Sequence, residues 1–226
     1  MCLTSIRSLR YSWIRASPAK ALSLPMLHAS HIARLQDQAT ADWHADSAPH
    51  SPSGTETFDD LVLAHHRANF DLWHEEDKAR EPGATDARIA QVKRNIDVLN
   101  QRRNDLVESI DRILLEAAGS QNGSATLNSE SPGLMIDRLS VLALKLYHTE
   151  EETRRTSATE PHREKNRARL ALLREQRADL AACLDDLWKQ VHSGTRRFKL
   201  YRQMKMYNDP ELNPAIYSHS TPGKQS

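Results

Sequence analysis

An internal repeat constrains the fold of this chain more than any other feature of its sequence. At an offset of 74 residues, without a gap, 11 of the 40 positions from Leu72 to Asp111 are identical to those from Leu146 to Asp185. Unrelated helical sequences would share about three, because a few residue types dominate such chains. Repeats of this length indicate duplicated supersecondary units. The chain is therefore predicted to contain two related helical hairpins.

Glycine and proline mark the ends of the predicted helices, because both residue types disfavour helix interiors. Helices are predicted over 30–43, 58–80, 87–117, 132–155, 161–193 and 195–207. Ser131 and Pro132 look like an N-cap and the first helical residue. No segment has the alternating pattern of a strand. The predicted class is all-α: an elongated bundle of two pseudo-repeated antiparallel αα-hairpins, with a short N-terminal and a basic C-terminal helix.

The length of 226 residues fits one domain with tails. We expect a helical domain over 28–217, with the pseudo-repeats at about 58–118 and 132–193. Residues 1–27 are expected to be a disordered extension or the result of a misassigned start codon, with Met26 as the alternative to Met1. Residues 218–226 are expected to form a disordered tail.

The composition limits which binding partners and which cellular compartment the sequence predicts. The net charge of +1 gives no strong nucleic-acid signal, and no apolar run is long enough to predict a transmembrane segment. Only Cys2 and Cys183 occur, so a reducing, cytoplasmic location is expected, with Cys183 as a small buried residue. Apolar residues at coiled-coil spacing, interrupted by Arg103 and Arg177, leave open a homo-oligomer formed through these helix seams.

The segment 132–155 differs from the other helices because its apolar residues cover every side. A helix of this kind is central and buried. Its polar residues therefore cannot all reach water: Asp137, Arg138, Ser140, Lys145 and His148. Buried charges are costly unless they are paired, so this segment predicts internal polar contacts.

Polar residues on one face of the segment 58–80 lie beside the large aromatics Phe70 and Trp73 and are predicted to turn inward. They either form ion pairs that fix helix register or line a polar pocket for an anionic ligand. The candidate ligand-binding residues are His66, Asn69, Trp73, His74, Asp77, Arg80, Lys93, Asn100, Arg103, Asp137, His148 and Arg177.

The repeated pairs His74–Asp77 and His148–Glu151 are candidate metal ligands, because their i, i+3 spacing places both side chains on one helical face. The other two long helices supply no symmetric carboxylates at the same level, so no metal site and no cofactor are predicted. A helical enzyme that uses His66, His74 or His148 with carboxylates as acid and base remains an alternative.

A basic patch follows the second repeat and is interleaved with aromatic residues. It comprises Arg196, Arg197, Lys199, Arg202 and Lys205. Such a pattern is compatible with nucleic acid, anionic lipid or a phosphorylated saccharide. Charge runs are more often solvated helix faces, and this interpretation is the favoured one.

Four segments, 69–80, 96–105, 137–140 and 205–210, together resemble the bacterial family catalogued as domain of unknown function 4254. The resemblance covers about 28–217. This family has no assigned activity. The resemblance implies an association with genes for lipopolysaccharide and other envelope glycans, often genes for glycosyltransferases. The expected function is that of a cytoplasmic accessory factor that binds a glycosyltransferase, another envelope-glycan enzyme or an anionic sugar-phosphate. A helical transferase or hydrolase, and a nucleic-acid-binding protein, are the alternatives.

Overall fold

The computed structural model describes residues 27–45, 57–202 and 211–213. Five helices dominate this part of the chain: α1 (Ala29–His44), α2 (Phe58–Ala79), α3 (Asp86–Ala118), α4 (Pro132–Arg154) and α5 (Glu160–His192). Two short strands, β1 (Thr126–Leu127) and β2 (Arg196–Arg197), pair in parallel. The all-α prediction is confirmed, and the first five predicted helices begin and end within one residue of those observed.

The sequence repeat corresponds to a repeat of structure. α3 and α5 both have 33 residues and begin 74 positions apart. α2 and α4, with 22 and 23 residues, also begin 74 positions apart. The residues before them are also equivalent, because Thr57 and Ser131 both accept a backbone N–H as helix caps. α2 packs chiefly against α3 and α4 against α5, whereas α1 lies mainly on α4.

α4 is one of the two most enclosed helices, together with α2, and its core is apolar. Ile136, Leu139 and Leu144 are almost inaccessible to solvent, and burying one such side chain stabilises a fold by about 1.5–3 kcal/mol. Of the polar residues on this helix, Ser140 is fully buried, whereas Arg138 reaches solvent. The cost of burying the polar residues of this helix is thus avoided for Arg138 by exposure to solvent and for Ser140 by hydrogen bonds inside the protein.

Each hairpin uses an aspartate on its second helix to hold the start of another helix. Asp111 of α3 accepts hydrogen bonds from the backbone N–H of Gly133, at 2.6 Å, and from the hydroxyl of Ser131. The equivalent Asp185 of α5 accepts from the backbone N–H of Ala29, at 2.8 Å, where α1 begins. Both contacts satisfy N–H groups that have no partner inside their own helix. Burial raises the pKa of Asp111 to about 6.

Two predictions about local structure in the described chain are wrong. No helix forms over 195–202: Gly194, at a φ of 72°, ends the turn after α5, and Phe198 is then drawn into the core. Cys183 is exposed on α5. Among the apolar residues at coiled-coil spacing, Val92, Ile110 and Leu184 are buried, whereas Ile89 is 44% exposed. The rest of the predicted C-terminal helix, the tails and Met26 lie outside the described residues.

We expect Gly133→Ala to lower the free energy of unfolding by about 1–3 kcal/mol, the range for overpacking a filled site. A Cβ at this position would lie 2.7 Å from Oδ1 and 2.8 Å from Cγ of Asp111. Urea denaturation measures the change. Gly123→Ala is the control, because its Cβ would meet nothing within 4 Å. Equal effects of the two substitutions would show that the Asp111 contact is not tight.

Candidate functional site

A buried chain of hydrogen bonds joins α1, α2 and α4. The hydroxyl of Thr40 donates to the carbonyl of Gln36, at 2.8 Å, so its oxygen accepts from Nε2–H of His66, also at 2.8 Å. Nδ1 of His66 is therefore unprotonated and accepts a hydrogen bond from the hydroxyl of Ser140, at 2.7 Å. Both ring nitrogens of His66 are satisfied inside the protein.

Burial, assisted by the neighbouring His65, lowers the pKa of His66 to about 3. The imidazole is consequently neutral near pH 7, and a group with so low a pKa is a weak general base. The structure places this predicted ligand-binding residue within the helix packing, where it holds α1, α2 and α4 in register.

Asp137 lies one turn from Ser140 and gathers several donors. Its Oδ1 accepts from Nε2 of His65, at 2.8 Å, and from Nδ2 of Asn69, at 2.9 Å, while Nε of Arg103 lies 3.8 Å away. Burial alone would raise the pKa of Asp137, but the donors and the positive charge hold it below its usual value. The carboxylate is therefore ionised at neutral pH.

Asn69 connects this network to open space. Its amide nitrogen also donates to Ser140, at 3.0 Å, so both amide hydrogens are used. A ligand can therefore form a hydrogen bond with this side chain through its carbonyl oxygen, which would act as the acceptor.

A cleft of about 400 Å³, here the first cleft, opens beside Asn69 between α2, α3 and α4. It brings together six predicted candidates: Asn69, Trp73, Asp77, Arg80, Asn100 and Arg103. The other lining residues are Leu72, Glu76, Val141 and Leu144. Guanidinium, amide, carboxylate and indole groups thus surround one space.

Two of these residues lie differently from the prediction. Asp77 and Arg80 were expected to turn inward, but both are exposed at the rim, and Arg80 pairs with Glu76 at 2.9 Å. The buried clusters end at Trp73 along α2, so the last turns of this helix have no core to face. Lys93, also exposed, pairs with Asp97 of its own helix and does not line the first cleft.

Three histidines from α1, α2 and α4 form an aromatic cluster. The ring centroids of His44, His74 and His148 lie 4.9–6.1 Å apart. Trp73 stacks on His148 at 4.9 Å and Tyr147 on His44 at 4.2 Å. Burial lowers the pKa of His44, and the other two histidines contribute. Within the described chain, no three His, Cys, Asp or Glu side chains are placed to hold a metal ion.

Arg177 lies apart from the first cleft. It lines another cleft of about 320 Å³, the second cleft, where it pairs with Asp37 of α1. The predicted anion contacts Arg103 and Arg177 therefore belong to separate spaces. The remaining candidates, His74 and His148, belong to the aromatic cluster.

The basic patch is only partly available to a partner. Nε of Arg197 donates to the carbonyl of Ala125 at 2.9 Å, and Arg196 and Arg197 are half-buried in β2. Lys199 and Arg202 are exposed, whereas Lys205 lies outside the described residues.

Thr40, His44 and His65 are contacts that the sequence analysis did not identify. The apolar character of α4 signals that Asp137 needs a partner, but His65 and His66 are adjacent and periodicity alone does not choose between them. α1 has no counterpart in the repeat. Nothing in the sequence therefore placed its Thr40 and His44 beside α2 and α4.

The fold and these clefts define an all-α bundle with a polar, partly aromatic candidate binding site. Residues 59–200 match the family described as protein of unknown function (DUF4254). The chain belongs to this family. No curated protein and no solved structure matches it. None of the described helices has the length and apolar character needed to cross a membrane.

We expect His66 to make folding sensitive to acid. Its folded-state pKa of about 3 lies below the ordinary 6.5, so its contribution to stability is full above pH 6.5 and is lost as pH falls toward 3. In His66→Gln, the stability deficit relative to wild type should shrink over this range by up to about 1.4 kcal/mol per pH unit. Urea denaturation at a series of pH values measures that deficit.

Val62→Ala is the matched control, because it removes buried volume from α2 without removing a titrating group. Its deficit should be nearly independent of pH. A His66→Gln deficit that is equally constant would mean that His66 does not remain neutral in the folded protein.

Proposed function

We propose that this protein binds a phosphorylated saccharide in the first cleft and acts as an accessory factor in bacterial envelope-glycan (lipopolysaccharide) biosynthesis. The observation that carries the proposal is the presence of Trp73, Arg103 and two asparagine amides around one space of about 400 Å³. This volume lies within the range of small-molecule sites.

Each group has a partner in such a ligand. The guanidinium of Arg103 can donate to a phosphoryl group in a forked geometry. The indole of Trp73 offers an apolar face to a sugar ring. The carbonyl of Asn69 and the carboxylates of Glu76 and Asp77 can accept sugar hydroxyls.

The ionised Asp137 supports this role because it holds Asn69 through a hydrogen bond and places a negative charge near Arg103, behind the first cleft. Arg103 is 31% exposed and its contact with Asp137 is 3.8 Å long. Its terminal nitrogens are thus not consumed by a short ion pair. These nitrogens can therefore donate to a phosphoryl group.

The biosynthetic context rests on the family association with envelope glycans. In that setting, the natural partner would be a glycosyltransferase or another enzyme that uses the same sugar-phosphate, and the place of action would be the cytoplasm.

A helical enzyme is the second candidate function, and one histidine–carboxylate pair favours it. Nδ1 of His148 lies 2.8 Å from Oε2 of Glu151, and His148 adjoins a further cavity of about 440 Å³ that also contains Lys145 and Arg169. A carboxylate that orients an imidazole is the arrangement used in acid–base catalysis. Nucleic-acid binding has less support, because Arg196 and Arg197 are engaged in β2.

Arg103→Gln should weaken binding of glucose 1-phosphate at least about tenfold, the effect of losing one charge-assisted hydrogen bond. Calorimetric titration of the full chain measures it. Arg102→Gln removes the same charge from the exposed neighbouring position and should bind like wild type. Equal affinities of wild type and Arg103→Gln would exclude the first cleft as the site.

Deletion of the gene should alter the lipopolysaccharide profile on gels, and the Arg102→Gln gene should restore it. The Arg103→Gln gene should fail to do so at equal protein levels, because it lacks the phosphoryl contact. A normal profile after deletion would remove the envelope-glycan role.

A further inference from the structure

The two clefts are duplicates of each other. Six residues that line the first cleft have counterparts 74 positions later that line the second cleft. The counterparts are Ala143, Leu146, Tyr147, Glu150, Arg174 and Arg177. The repeat therefore duplicated a concave surface as well as a helical hairpin.

A third helix closes each cleft in a related way. α4 closes the first cleft and carries Asp137, which faces Arg103. α1 closes the second cleft and carries Asp37, which pairs with Arg177. Both closing helices are held at their first turn by equivalent aspartates, as described above for Asp111 and Asp185.

The substitutions between the clefts change what they can bind. Asn100 is replaced by Arg174, which lies one turn from Arg177 on the same face of α5. Asn69 is replaced by Ala143, so the second cleft lacks both amides of the first cleft and gains a guanidinium. Arg174 is 59% exposed and lies 3.7 Å from Glu150, beyond hydrogen-bond length.

We propose that the second cleft is a separate binding site for a phosphoryl group, held by Arg174 and Arg177 with Tyr147 beside it. The guanidinium of Arg174 can donate two hydrogen bonds to phosphate oxygens. Arg177, whose Nη1 already donates to Asp37, can donate from its remaining N–H groups. Phosphoryl recognition therefore dominates at the second cleft, whereas the first cleft offers more groups for a sugar. This inference extends the proposed function to a second site of the same ligand class.

The test follows arginine Nε–H signals by NMR in the full chain during titration with glucose 1-phosphate, inorganic phosphate and glucose. Each signal is assigned with the corresponding Arg→Gln variant. Both phosphate-containing probes should shift the signals of Arg174 and Arg177, and glucose should not. Arg174→Gln should weaken the response of Arg177 at least about tenfold and leave that of Arg103 unchanged.

Arg167→Gln is the control for charge on α5, because Arg167 pairs with Glu160 and Glu164 outside the cleft. It should alter neither response. If the signals of Arg174 and Arg177 do not shift, the second binding site is excluded. If the Arg103 signal shifts in that case, the proposed function is still supported. Shifts at Arg174 and Arg177 without any at Arg103 would support the second site and remove the proposed function. A response to glucose alone would also overturn the inference.

Discussion

The enclosure of α4 determines most of this structure. A helix that is apolar on all sides gains stability from burial, but Asp137 and Ser140 must then find partners inside the protein. α2 supplies them through His65, His66 and Asn69, and α1 adds Thr40. The candidate site exists because this internal network reaches the edge of the core at Asn69. There, groups already held in place by the fold meet a space that a ligand can enter.

The duplicated hairpin explains why a third helix is needed twice. Each hairpin has a concave side, and its second helix carries an aspartate that can accept the free N–H groups of an incoming helix. α4 fills that position on the first hairpin through Asp111, and α1 fills it on the second through Asp185. The chain therefore closes its second repeat with a helix that precedes both repeats. This order makes α1, which has no counterpart in the repeat, essential to the second cleft.

The helices could be predicted closely because their ends are encoded locally, by residues such as Ser131 and Gly83 and by the constant offset of 74. The site could be predicted only in part. Helical periodicity tells which residues share a face but not where that face loses its cover, so Asp77 and Arg80 were assigned to the interior although α2 continues beyond the core. The end of α5 was misjudged for a related reason: basic composition does not reveal that Phe198 is pulled into the core and leaves Arg197 to pair with β1.

The aromatic cluster connects the two clefts through ring contacts. Trp73 lines the first cleft and Tyr147, its equivalent in the repeat, lines the second. Trp73 stacks on His148 and Tyr147 on His44, and these two histidines contact each other edge to face. A chain of four contacting rings thus joins a wall residue of the first cleft to its repeat equivalent in the second, so a change of ring orientation at one cleft would disturb contacts that extend toward the other.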